Sequence, residues 1–111
     1  MVGSGPDLPD LGYVSGKVTK AGKPMVDAMV QFIPVDNDKA SVATSYTDAE
    51  GNYTLKYMEG VEGAVLGKNR VEVSLLERGR EQVPPRTPYG MGSNMIETVK
   101  EGSQTIDIKI P

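Results

Sequence analysis

An all-β fold, an antiparallel seven-stranded β-sandwich of Greek-key type, is what this sequence of 111 residues predicts. Three observations carry that expectation. Several segments alternate apolar and polar residues with the period of two that belongs to a half-buried strand. Clusters of Gly, Pro, Asn and Asp separate these segments at short intervals. No segment shows apolar residues at helical spacing. Strands this short and numerous enclose a core by packing two sheets face to face.

Residues 1–11 combine Gly3, Ser4, Gly5, Pro6 and Pro9 with Asp7 and Asp10, and read as a flexible leader to a single domain over 12–111. Tyr13 to Thr19 sets Val14, Gly16 and Val18 against Ser15, Lys17 and Thr19, a first strand, and Ala21-Gly22-Lys23-Pro24 is its turn. Val26 to Ile33 is apolar on both faces, as expected of a central strand, and Pro34 ends it. Val35 to Ala40 is a polar loop.

Ser41–Tyr46 and Thr47–Tyr57 read as a β-hairpin. Asp48, Glu50, Gly51 and Asn52 form the turn, and Tyr53, Leu55 and Tyr57 share one face beyond it. Met58 to Gly67 has no period and reads as a loop. Gly67 to Leu76 points Val71, Val73 and Leu75 inward. Glu77 to Asn94 is irregular, with Pro84, Pro85, Pro88, Gly90 and Gly92; loops of this length in compact domains are often functional. Met95–Lys100 and Gln104–Ile110 supply the last strands, the second with Ile106, Ile108 and Ile110 on one face and Asp107 turned outward.

Composition excludes several chemistries. The chain has no cysteine and no histidine, so it has no disulfide, no thiolate, no imidazole base, and no histidine-based triad or zinc site. An enzyme would have to work with carboxylates, Lys or Tyr alone, and no catalytic residue is assigned. The net charge of −3 is small. Five of the twelve basic residues lie between Lys68 and Arg86, but Glu72, Glu77 and Glu81 sit among them, which is a solvated face rather than a nucleic-acid footprint.

The segments Val14-Ser-Gly-Lys-Val-Thr19, Gly22-Lys-Pro-Met-Val-Asp-Ala-Met-Val-Gln-Phe-Ile-Pro34 and Thr47-Asp-Ala-Glu-Gly-Asn-Tyr-Thr-Leu55 together resemble the carboxypeptidase regulatory-like domains. Those have a transthyretin-like (prealbumin-like) sandwich. With Gly63–Val73, the Val83–Gly90 loop and Val99–Ile108, their order is similar to that of small secreted lipoproteins of planctomycete bacteria. The resemblance implies a non-catalytic module, a secreted or cell-envelope location, and Gly3–Leu11 as a tether to a lipid anchor. The cysteine that such an anchor uses is not among these residues. Relatives often carry histidine where this chain has Asn69, so no role transfers to that position.

Arg86, Tyr89 and Met91 on or beside the long loop are the candidate binding residues, since Arg, Tyr and Met are common in recognition surfaces. The competing role for Tyr89 is packing downward to pin the loop. The expected partner is an envelope protein or a carbohydrate, with neither nucleic acid nor cofactor. Asp48, Glu50, Asn52 and Glu59 offer oxygen ligands, but a calcium loop needs its glycine where Tyr53 stands. No metal site is assigned. A covalent Lys17 or Lys20 crosslink to the last strands is disfavoured by the outward phase of Asp107.

Overall fold

The computed structural model describes residues 9–37, 39–85 and 88–111. These form short strands and no helix. In chain order they are β1 (Leu11–Lys20), β2 (Lys23–Pro24), β3 (Met29–Pro34), β4 (Ala43–Tyr46), β5 (Asn52–Thr54), β6 (Lys56–Met58) and β7 (Val61–Glu62). There follow β8 (Ala64–Val65), β9 (Gly67–Ser74), β10 (Leu76–Glu77), β11 (Arg80–Glu81), β12 (Ile96–Val99), β13 (Ser103–Thr105) and β14 (Ile108–Ile110). Two six-stranded sheets result, with β10 and β11 as a separate two-stranded ribbon. One is gathered around β1, and the other has the order β12-β9-β3-β4-β6-β7.

The second sheet is antiparallel throughout, as expected. The first departs from that at one edge, where β13 and β14 both run parallel to β1. The chain reaches this edge after β12 of the other sheet, so it enters β13 in the direction of β1 rather than by a hairpin. The β1–β2 turn does close as a tight hairpin. Ala21 and Gly22 take φ of 51° and 81°, the pair of positive values that a type I′ turn needs.

Several expected boundaries shift: Met58–Gly67, expected as a loop, holds β7 and β8, and the strand expected over Gln104–Ile110 divides into β13 and β14. The hairpin from Ser41 to Tyr57 is broken at Leu55, because Asn52–Thr54 pairs with β1 in the first sheet while Lys56 pairs with Thr44 in the second. Leu55 is fully buried at this crossing between sheets. The strand expected from Val26 starts at Met29, since Asp27 takes a φ of 60° and the Ala28 amide is held by the Thr47 hydroxyl at 2.8 Å. Leu11, placed with the leader by composition, pairs with Val65 in β1, and residues 1–8 lie outside the described residues.

The core lies between the sheets. Val14 and Val18 face Val30, Phe32, Val71 and Val73, with Leu55, Val99, Ile108 and Ile110 beside them. Burying each large aliphatic or aromatic side chain contributes about 1.5–3 kcal/mol. Ile106, expected inside, is half-buried against this cluster. Asn69 is a buried polar exception: its amide nitrogen donates to the Val65 and Gly67 carbonyls at 2.8 and 3.1 Å, while its Oδ1 has no partner among the described residues.

Candidate functional site

Strand alternation turns Met29, Gln31 and Ile33 of β3, Arg70, Glu72 and Ser74 of β9, and Thr44 and Tyr46 of β4 onto the outward face of the second sheet. Register then sets them in rows: Tyr46 beside Met29 beside Ser74, and Thr44 beside Gln31 beside Glu72. Lys56 extends the second row through Thr44, and Ile96 stands beside Arg70. On this face Tyr46 is 65% exposed and Ile96 45%.

Two concavities mark this face. A groove of about 450 Å³ runs along the seam of β4 and β6, between Val42, Thr44, Tyr46, Lys56, Met58 and Glu59. It opens because the chain leaves the second sheet after β4 and rejoins it only beyond Leu55, so β4 and β6 meet at a single residue pair. A smaller cleft of about 40 Å³ lies among Met29, Gln31, Glu72, Ser74 and Met91.

The long loop is fastened across this region. Tyr89 is 7% exposed and belongs to the core cluster, and its carbonyl accepts the Val73 amide at 2.7 Å. Its φ of 69° is a strained value for a non-glycine residue, which persists only where the surroundings hold it. The Ser93 hydroxyl donates to the Val71 carbonyl at 2.6 Å. Glu72, ion-paired with Arg70, accepts the Gly92 amide at 2.8 Å.

At the loop's start Val83 is buried, and Glu81 accepts the amides of Leu75 and Val83 at 2.8 and 3.1 Å and the Ser74 hydroxyl. Desolvation pushes the Glu81 carboxyl upward, but these donors outweigh it and hold its pKa below the ordinary value.

The three candidate residues therefore separate. Tyr89 is turned into the sandwich, the pinning role that its loop also allowed. Met91 is 68% exposed and lines the small cleft. Arg86 lies outside the described residues. Tyr46, Lys56 and Met29 were not singled out from sequence, although the alternation of Ser41–Tyr46 and of Met29, Gln31 and Ile33 already carried the signal.

The remaining acids do not form a site. Asp48 Oδ1 accepts the Asn52 and Glu50 amides, both at 2.9 Å, and the Asn52 bond above all lowers its pKa. That is a turn closure. Among the described residues no group of three acids is placed to hold a metal ion. Lys20 gives its ammonium to the Gln82 carbonyl, and Asp107 is exposed, so neither is set for a buried crosslink.

The fold and this face define an all-β sandwich module. A DUF3823 family protein from Parabacteroides merdae, known from a crystal structure, is similar to it with a TM-score of 0.57 at 13% sequence identity. The likeness covers 94% of this chain and 47% of that one, so the chain spans about half the length of that protein. At this identity the likeness establishes the fold alone. No protein-family model matches the sequence, and no curated protein matches it.

Proposed function

We propose that this chain is a non-catalytic cell-envelope module that docks a protein partner on the outward face of its second sheet. The observation that supports this most is the exposure of Tyr46, Met58, Met91 and Ile96 on or bordering that one face. Tyr and Met are enriched where proteins meet, and a broad, shallow, mixed surface suits a partner of matching shape better than a small substrate. The resemblance to carboxypeptidase regulatory-like domains and to secreted planctomycete lipoproteins supports the envelope location and attachment through a lipid anchor.

The β4–β6 groove favours one second reading, a small-molecule or carbohydrate site. Its volume falls in the range of ligand pockets, and the Tyr46 ring on its rim offers a face on which a sugar stacks. The same experiment weighs both. A photo-crosslinking residue at position 46 or 91 is expected to capture one discrete protein in the native host, while the same residue at Lys109, on the other sheet, captures none. Equal capture at all three positions, or none at 46 and 91, overturns protein docking. An NMR screen of the isolated domain with glycan fragments, shifting Thr44, Tyr46 and Lys56 together, would select the second reading.

A further inference from the structure

The small cleft beside the long loop is lined by two methionines, Met29 and Met91. We propose that Met29 and Met91 form a site there for a soft monovalent cation, copper(I) in a biological setting. With neither cysteine nor histidine in the chain, thioether sulfur is the only soft donor available. Met29 and Met91, distant in sequence, line the same cleft.

The cleft's volume of about 40 Å³ suits one ion or one water and is far too small for an organic ligand. The Tyr46 hydroxyl donates to Met29 Sδ at 3.7 Å, which orients that sulfur and leaves its second lone pair free. Met91 is held between the Tyr89 anchor and the Gly92–Glu72 hydrogen bond, so its backbone is placed before any ion arrives.

The other lining groups set selectivity. Glu72 is the single carboxylate, and Arg70 already neutralises it. Hard divalent ions gather several oxygen ligands, commonly including carboxylates, and find too few here. A soft ion that needs two thioethers is satisfied by the pair, with the Gln31 or Ser74 oxygen as a further ligand. Met91 is mostly exposed and leaves an open path for entry. This site borders the proposed docking face but does not rest on docking, because silver binding is read on the isolated protein.

Silver(I) tests the proposal, because it shares the ligand preference of copper(I) and is not readily oxidised. The protein, labelled with ¹³C at its methionine methyls, is titrated with silver nitrate in chloride-free buffer. The expected result is saturation at one equivalent, with shifts at Met29 and Met91 and none at Met58 or Met95. Met29→Leu and Met91→Leu each weaken binding at least tenfold, Met58→Leu leaves it within twofold, and copper(I) competes. Leucine keeps the side-chain volume, so an unchanged amide spectrum shows that the variants remain folded. Binding spread evenly over the exposed methionines, binding that survives either cleft variant, or no saturable binding overturns the site.

Discussion

The Tyr53 hydroxyl donates to the Ile106 carbonyl at 2.5 Å, inside the first sheet. In a regular parallel ladder that carbonyl would accept the Lys17 amide. Here the Lys17 amide turns to Asp107 Oδ1 at 2.9 Å instead, so a side-chain carboxylate replaces the diverted backbone group. Gly16, which pairs with Tyr53, makes the diversion possible: a Cβ at Gly16 would overlap the Ile106 carbonyl oxygen. The link into the closing strand is thus tied to the sheet by two hydrogen bonds, one from Tyr53 of β5 and one from Lys17 of β1.

Gly16→Ala is therefore expected to destabilise the fold by about 1–3 kcal/mol, the range for forcing extra volume into a packed site. Tyr53→Phe keeps the ring against Phe32 and removes only the donor, leaving a largely desolvated carbonyl unpaired at a cost of about 1–3 kcal/mol. Urea unfolding of the two variants checks both. A Tyr53→Phe variant as stable as the parent would show that the hydrogen bond contributes nothing.

Tyr53 also sets an alkaline limit. Burial above all, then the charges of Asp107 and Glu97, raises its pKa well above the ordinary 10.0. A group whose folded pKa exceeds its unfolded value stabilises fully below the unfolded pKa and loses that contribution as pH rises toward the folded one. Stability should therefore decline from about pH 10 upward. Tyr53→Phe should flatten that decline, with a smaller residue from Tyr89, whose pKa burial also raises. Equal alkaline slopes in parent and variant would remove Tyr53 as the cause.

Glu81 acts at the other end of the scale. Its pKa is lowered in the fold, so its contribution is present above the unfolded value near 4.5 and lost as pH falls through the folded one. Glu81→Gln should lower stability at neutral pH and weaken the acid dependence below pH 4.5. It should also speed amide exchange at Leu75 and Val83, the two amides it accepts. Unchanged exchange at both would detach Glu81 from the loop.

Period-two alternation places Val30, Phe32, Leu55, Val71, Val73, Ile106 and Ile108 inside, and all but the half-buried Ile106 are buried, because alternation reports a local property of the strand. Pairing depends on the whole chain. Nothing local in Asn52–Met58 says that it changes sheets at Leu55, and nothing in Gln104–Ile110 says that it runs parallel to β1. The site was legible only in part for the same reason. Met91 is exposed as its loop composition suggests, while the cleft it shares with Met29 exists only once β3, β9 and the loop are assembled. The prolines and glycines of Glu77–Asn94 read as an irregular segment, and nothing periodic in it announces that Val83, Tyr89 and Ser93 are the buried groups that fasten it.

Tyr89 and Met91, two residues apart, give the sharpest division between support and contact. Tyr89 brings the largest side chain of its loop into the core cluster, and its backbone is strained at a φ of 69°. Tyr89→Ala removes the anchor and leaves the strain, so it should cost about 2–4 kcal/mol. It should also raise amide exchange at Val73, whose hydrogen bond to the Tyr89 carbonyl depends on that position. Met91→Ala removes a mostly exposed side chain, and its effect on stability should stay within about 0.5 kcal/mol. Partner capture at position 46 should fall in both variants if the loop forms part of the docking face: in the first because the loop is released, in the second because a contact is lost. A stable Tyr89→Ala protein with an unchanged loop would show that the loop is held by Val83 and Ser93 without it. Full capture in the Met91→Ala variant would confine docking to the β4–β6 side of the face.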